Sequence, residues 1–246
     1  MVRESCISMN ATIYLERSRK EKTRLVPGQN WEDYRVPAGG VACYSSKDLM
    51  KWKYEGIALA ASTSDPDSDL DTGRIMERPK VIFNKKTGKF VMWLHVDNPE
   101  YSYARAGVAI SDSPEGPYRY LGSMRPNEQE CRDLTLFKDD DEKAYVVYAS
   151  ENNNTMHVCL LSEDYLSPTR NYTRILIDQR REAPALFKYG TRYFLITSLC
   201  SGWSPNAATI YCNRQSHGVT GKIAGIPVLV RALIPVLDHK AVLYFP

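Results

Sequence analysis

The sequence predicts an all-β protein, and within that class a β-propeller. Three observations carry the expectation. A layout of about four strands recurs at a period of about fifty residues. Helical patterning is negligible along the chain. The aromatic supply, 16 Tyr and 4 Trp among 246 residues, suits strands. A β-sandwich is the alternative, but it would not require the charged cluster that opens each repeat.

The elements follow in order. Upstream, "GVACYSSKDLMKWKYEGIAL" reads as two strands around a polar turn. "ERPKVIFNKKTGKFVMWLHVD" begins at Glu77, "CRDLTLFKDDDEKAYVVYASEN" at Cys131 and "RREAPALFKYGTRYFLITSLC" at Arg180. Each passes from a charged cluster to a short apolar strand ending at Phe83, Phe137 or Phe187. A polar turn follows, holding Gly88, an acidic run or Gly190, and then a second apolar-aromatic strand. "AGVAISDSPEGPYRYLG" and "HVCLLSEDYLSPT" supply the later hairpins of their units.

Composition narrows the functions. The 246 residues hold one large domain or two small ones, and a net charge of +3 argues for neither nucleic acid nor an acidic membrane surface as partner. The aliphatic ending is interrupted by Arg231, Asp238, His239 and Lys240, so no membrane span is expected. The opening residues carry no apolar signal-peptide core, and localisation is left unassigned. None of the six cysteines stands in C-x-x-C spacing and the four histidines form no ligand motif, so no metal site, disulfide framework or cofactor is expected.

The repeat also places acids. Glu77, Asp133 and Glu182 each stand at the opening of a unit, beside Arg78, Arg132 and Arg181. In a propeller the first strand of each blade lines the central channel, so equivalent positions would converge on one end of it. The bland alternative is three solvated strand-end acids. Clustered carboxylates separate into protonated and ionised members, and cleavage of a glycosidic bond needs that division. Tyr101, Tyr103, Trp93 and Trp203 are candidate sugar platforms. Trp93 reads better as core, and Trp203, in "CSGWSPN", as the better platform.

Together these motifs, over residues 22–211, resemble glycoside hydrolase family 43, and most of all its exo-β-1,3-galactanase branch. The resemblance implies a five-bladed propeller and an inverting glycosidase acting on a polysaccharide or oligosaccharide, here releasing galactose from the non-reducing ends of β-1,3-galactan. It implies Glu182 as general acid and Asp133 as the carboxylate that orients it and tunes its pKa. Glu77, Tyr101, Glu151, Ser201 and Trp203 fall where that branch binds the sugar. The branch draws on a last-blade glutamine in a "GSQS"-like segment to position the water. This chain has no such segment, which leaves the base unassigned. An α-L-arabinofuranosidase or β-xylosidase of the same family, or an inactive sugar-binding remnant, are the alternatives.

The closing "GIPVLVRALIPVLDHKAVLYFP" does not resemble the rest. Read in a shifted frame, codons that could encode it permit a family-like last-blade segment, with a glutamine across His239 and Lys240. The opening residues behave similarly. Residues 22–211 are therefore expected to form the catalytic propeller, and 1–21 and 212–246 to be frameshifted remnants of the first and last blades. The ring would then be incomplete or badly closed.

Overall fold

A computed structural model of the chain describes residues 9–14, 38–48, 50–201, 206–213, 222–223, 226–227 and 229–233. The all-β expectation is met. Among the described residues the regular structure is seventeen strands and one short 3-10 turn, Pro126–Glu128. The chain divides into two compact units, Met1–Met124 and Arg125–Pro246.

The first unit holds two antiparallel meanders. One orders β1 (Met9–Tyr14), β2 (Ala38–Ser45) and β3 (Lys53–Ala60). The other orders β4 (Ile75–Asn84), β5 (Lys89–Asp97), β6 (Arg105–Ser111) and β7 (Arg119–Met124). Val41, Leu59, Met76, Met92, Leu94 and Val96 share one core cluster between them. Trp93 is fully buried, as its place inside a strand suggested. The β6–β7 turn is held against β3, where the Tyr118 amide donates to the Ala58 carbonyl (2.7 Å). Gly116 permits that approach: at φ +93°, an added Cβ would lie 2.7 Å from the same carbonyl oxygen.

In the second unit the order is β8 (Leu134–Lys138), β9 (Ala144–Ser150), β10 (Thr155–Leu161) and β11 (Pro168–Ile175), with β8 and β11 at the edges. The next sheet orders β12 (Arg181–Tyr189), β13 (Arg192–Leu199), β14 (Thr209–Asn213) and β17 (Leu229–Leu233). A two-residue ladder joins β15 (Lys222–Ile223) to β16 (Ile226–Pro227). Every residue of β9 is buried, whereas β11 is largely exposed. That gradient explains why "AYVVYAS" is apolar and aromatic up to its final serine and "PTRNYTRI" is polar. The acidic run after β8 ties the two sheets together: Lys188 Nζ pairs with Asp139 (2.8 Å) and Asp140 (2.6 Å), and the Tyr193 hydroxyl donates to Asp139 (2.5 Å).

Within each unit, first strands neighbour one another. β4 lies against β1 and β2, and β12 lies against β8 and β9. That is the relation of successive propeller blades. Four sheets of three or four strands are described. Residues 1–21 and 212–246, the expected frameshifted remnants, fall largely outside the described residues. Where described, the ends form strands: β1 pairs with β2 across a register shift, and β17 pairs with β14 in unbroken register from Thr209↔Leu233 to Asn213↔Leu229.

One repeat feature differs from the expected alignment. The phenylalanines that end the first strands are not its anchor. The shared device is a Glu-x-Pro bulge: Glu77-Arg78-Pro79 in β4 and Glu182-Ala183-Pro184 in β12. In both strands one extra residue enters the ladder, between Glu77↔His95 and Lys80↔Trp93, and between Glu182↔Ser198 and Ala185↔Ile196. Arg78 (φ +53°) and Ala183 (φ +51°) take the left-handed conformation. Proline has no amide to contribute to the ladder, so the bulge follows from the sequence at both places. Its effect is to turn the preceding glutamate away from the regular pleat.

Candidate active site

In the second unit the bulge of β12 brings two predicted residues together. The Ala183 amide donates to Asp133 Oδ2 (2.8 Å), which fixes the Asp133 carboxylate at the backbone immediately after Glu182. Asp133 is 9% exposed, and its own carbonyl accepts from the Ala149 amide (2.9 Å). Asp133 is therefore held by main-chain amides of two strands, one of them the amide of the residue after Glu182 on the bulged strand. Arg181 precedes Glu182 on the same strand. It is 5% exposed, and its Nε and Nη1 have no partner among the described residues.

Sequence reasoning missed Cys200. It sits diagonally across the ladder from Glu182, two residues beyond Glu182's partner Ser198. The Glu182 carboxylate lies near enough to act on the Cys200 thiol. Burial pushes the thiol up to about 11, with the negative charge of Glu182 adding to the effect. Ser201 is exposed and accepts from Asn206 Nδ2 (2.5 Å), and Asn206 also bonds both the amide and the carbonyl of Leu199. Asn206 thus staples the loop that carries Ser201. Trp203 lies outside the described residues.

Glu151 follows β9 in a left-handed turn (φ +53°) and is heavily engaged. Arg174 grips it through two nitrogens (2.6 and 2.5 Å), the Thr155 hydroxyl donates to it (2.9 Å), and His157 Nε2 lies 3.1 Å away. The Arg174 fork is the largest cause holding the Glu151 carboxyl down to about 2. A sugar hydroxyl bound here would compete with that fork. A depressed carboxyl stabilises the fold above its unfolded pKa and loses that contribution as pH falls through the folded one. The stability difference between wild type and Arg174→Ala should therefore be fully present at neutral pH and shrink below about pH 4 towards pH 2. Denaturant midpoints across that range check it; a difference that grows on acidification would contradict it.

In the first unit Glu77 is part of a connected group. The Tyr101 hydroxyl donates to Glu77 Oε1 (3.1 Å), and His95 Nδ1 stands 3.6 Å from Oε2, an ion-pair separation rather than a hydrogen bond. His95 Nε2 lies 2.8 Å from Asp97 Oδ2. Burial alone would raise Glu77, but contact with His95, then Tyr101 and Arg78, outweighs it and lowers the carboxyl below its usual range. For His95, burial pulls down, while Asp97 and then Glu77 overcome it and raise the imidazole. Tyr103, another candidate platform, has partners of its own. Its hydroxyl donates to Asp69 (2.9 Å), and the Arg74 and Arg105 guanidinium groups stand 5.2 and 5.1 Å from its ring centre.

Known proteins give the same direction. The sequence profile of glycosyl hydrolases family 43 matches residues 8–227, and the chain belongs to that family. Among solved structures it is similar to the family 43 β-1,3-galactosidase BT3683 with galactodeoxynojirimycin, at 39% identity and a TM-score of 0.74, over 83% of this chain and 70% of that one. A second family 43 β-1,3-galactosidase, BT0265, is 43% identical with a TM-score of 0.69, over 72% of this chain and 38% of that one. The exo-β-1,3-galactanase of Phanerochaete chrysosporium, with galactose, is 34% identical with a TM-score of 0.71, over 84% of this chain and 46% of that one. The chain thus spans less than half the length of two of these three. No curated protein matches it.

Proposed function

We propose that the chain is an inverting glycoside hydrolase that releases galactose from the non-reducing ends of β-1,3-galactan. Glu182 donates a proton to the leaving glycosidic oxygen. Asp133 orients it, and Glu77 and Tyr101 bind the terminal sugar, with Glu151, Ser201 and Trp203 as further sugar contacts. The observation that carries the reading is the bond from the Ala183 amide to Asp133, which sets a second carboxylate at the bulge presenting Glu182. Inversion places the acid on one face of the bond and lets an activated water attack the other. The relatives named above as β-1,3-galactosidases and exo-β-1,3-galactanase support the choice of galactan.

The reading includes a five-bladed propeller whose family-like blades occupy residues 22–211, with 1–21 and 212–246 as frameshifted remnants of its first and last blades. Sequencing the encoding DNA tests the ends: the shifted frames should spell family-like first and last blades. The activity is tested by incubating the chain with arabinogalactan and identifying the released monosaccharide. Galactose supports the proposal. Arabinose would point to the arabinofuranosidase reading, and binding without release to an inactive remnant.

A further inference from the structure

His95 and Asp97 were not singled out in the sequence, yet Glu77 and the loop that carries Tyr101 are both tied to them. His95 is 1% exposed in the middle of the second sheet of the first unit. It stands opposite Glu77 on β4 and Ala106 on β6, so Glu77 is the ionisable group that its cross-strand partners offer. Its two ring nitrogens face two carboxylates, Nε2 towards Asp97 at 2.8 Å and Nδ1 towards Glu77 at 3.6 Å. Asp97 is fully buried, and its second oxygen, Oδ1, accepts from the amides of Asn98 (2.9 Å), Tyr103 (2.9 Å) and Ala104 (3.0 Å). Those amides bracket the loop that carries Tyr101, itself held at φ +55°. Tyr101 then closes the circuit by donating to Glu77.

We propose that Asp97 and His95 are positioning residues that set Glu77 and Tyr101 together for binding saccharide hydroxyls, a role that rests on the glycosidase reading above. One carboxylate acts through both of its oxygens. Oδ2 orients the imidazole behind Glu77, and Oδ1 shapes the loop that delivers Tyr101. A histidine facing a carboxylate at each nitrogen is held as imidazolium, and an imidazolium behind Glu77 keeps that carboxylate ionised and accepting. Glu77 is then an acceptor for hydroxyl protons rather than a donor, and Tyr101 fixes which way its oxygens face. Neither His95 nor Asp97 needs to touch the sugar.

The test pairs a sugar-free readout with a binding one. In the wild-type protein at pH 7, nitrogen NMR should show both ring nitrogens of His95 protonated, with the signal assigned by its loss in His95→Gln and its shift in Asp97→Asn. A neutral His95 overturns the proposal whether or not the protein turns over any substrate. The dissociation constant for galactose, measured on folded protein by calorimetry, should rise about ten-fold or more in Asp97→Asn, as expected when a charge-assisted network is broken. A purely structural residue would lower the unfolding temperature and leave the affinity of the folded fraction unchanged. If wild type binds galactose and Asp97→Asn binds it equally well, this role alone fails. If wild type binds no galactoside, the glycosidase reading fails and takes this role with it.

Discussion

Glu182→Gln is expected to lower turnover of β-1,3-galactobiose by roughly 10²–10⁴-fold, the usual range for loss of a positioned general acid. Affinity for the sugar should stay within a few-fold. The substitution keeps the shape and a hydrogen-bonding oxygen, but glutamine has no proton to give at the leaving oxygen. The bulge at Glu182↔Ser198 and the Asp133 bond to Ala183 involve main chain on the β12 side, so the site should remain assembled. A galactoside with a good leaving group needs little protonation, and its loss in the variant should be much smaller. Wild-type rates on the disaccharide would remove Glu182 from the mechanism. An equal loss on both substrates would indicate general damage instead.

Asp133→Ala should reduce both turnover and stability. The Ala183 amide would lose its acceptor at a part-buried site, which typically costs about 1–3 kcal/mol. Turnover should fall by about 10²-fold, because Glu182 is the next residue along the bulge and small displacements of a catalytic group carry penalties of that order. Asp133→Asn separates the two effects. Its side-chain oxygen can still accept from Ala183, so the denaturant midpoint should recover most of the loss. The negative charge beside Glu182 is gone, so turnover should remain low. Full recovery of turnover in Asp133→Asn would reduce Asp133 to a structural acceptor.

The hairpins were legible because each strand carries its own signal. "KFVMWLHV" and "AYVVYAS" are dense in β-favouring residues and bounded by turn chemistry, and β5 and β9 occupy those runs. The bulges were not legible. Alignment on Phe83, Phe137 and Phe187 assumes equal strand lengths. β4 and β12 each insert a residue in left-handed conformation, and that residue is Arg78 or Ala183 rather than the glycine that would have advertised it. The recurrence of Glu-x-Pro was the available signal.

The candidate site divides in the same way. Tyr101 and Glu77 were expected as sugar-binding residues, and the hydrogen bond between them places both in one group. The pair behind them could not be read, because a histidine and an aspartate at alternate positions of an apolar strand give no sign of which loop amides the aspartate will accept. Glu151 illustrates the opposite difficulty. Its motif position suggested a sugar contact, while Arg174, its principal partner, lies on β11 at a separation no local pattern reveals.

The most direct measurement is proton NMR of galactose release from β-1,3-galactotriose, followed from the first turnover. Retaining and inverting reactions differ in the anomer that appears before mutarotation. The account predicts that the free monosaccharide is galactose, that it appears first as the α-anomer, and that Glu182→Gln suppresses its formation. Galactose appearing first as the β-anomer, or no release by the wild-type chain, would contradict the account.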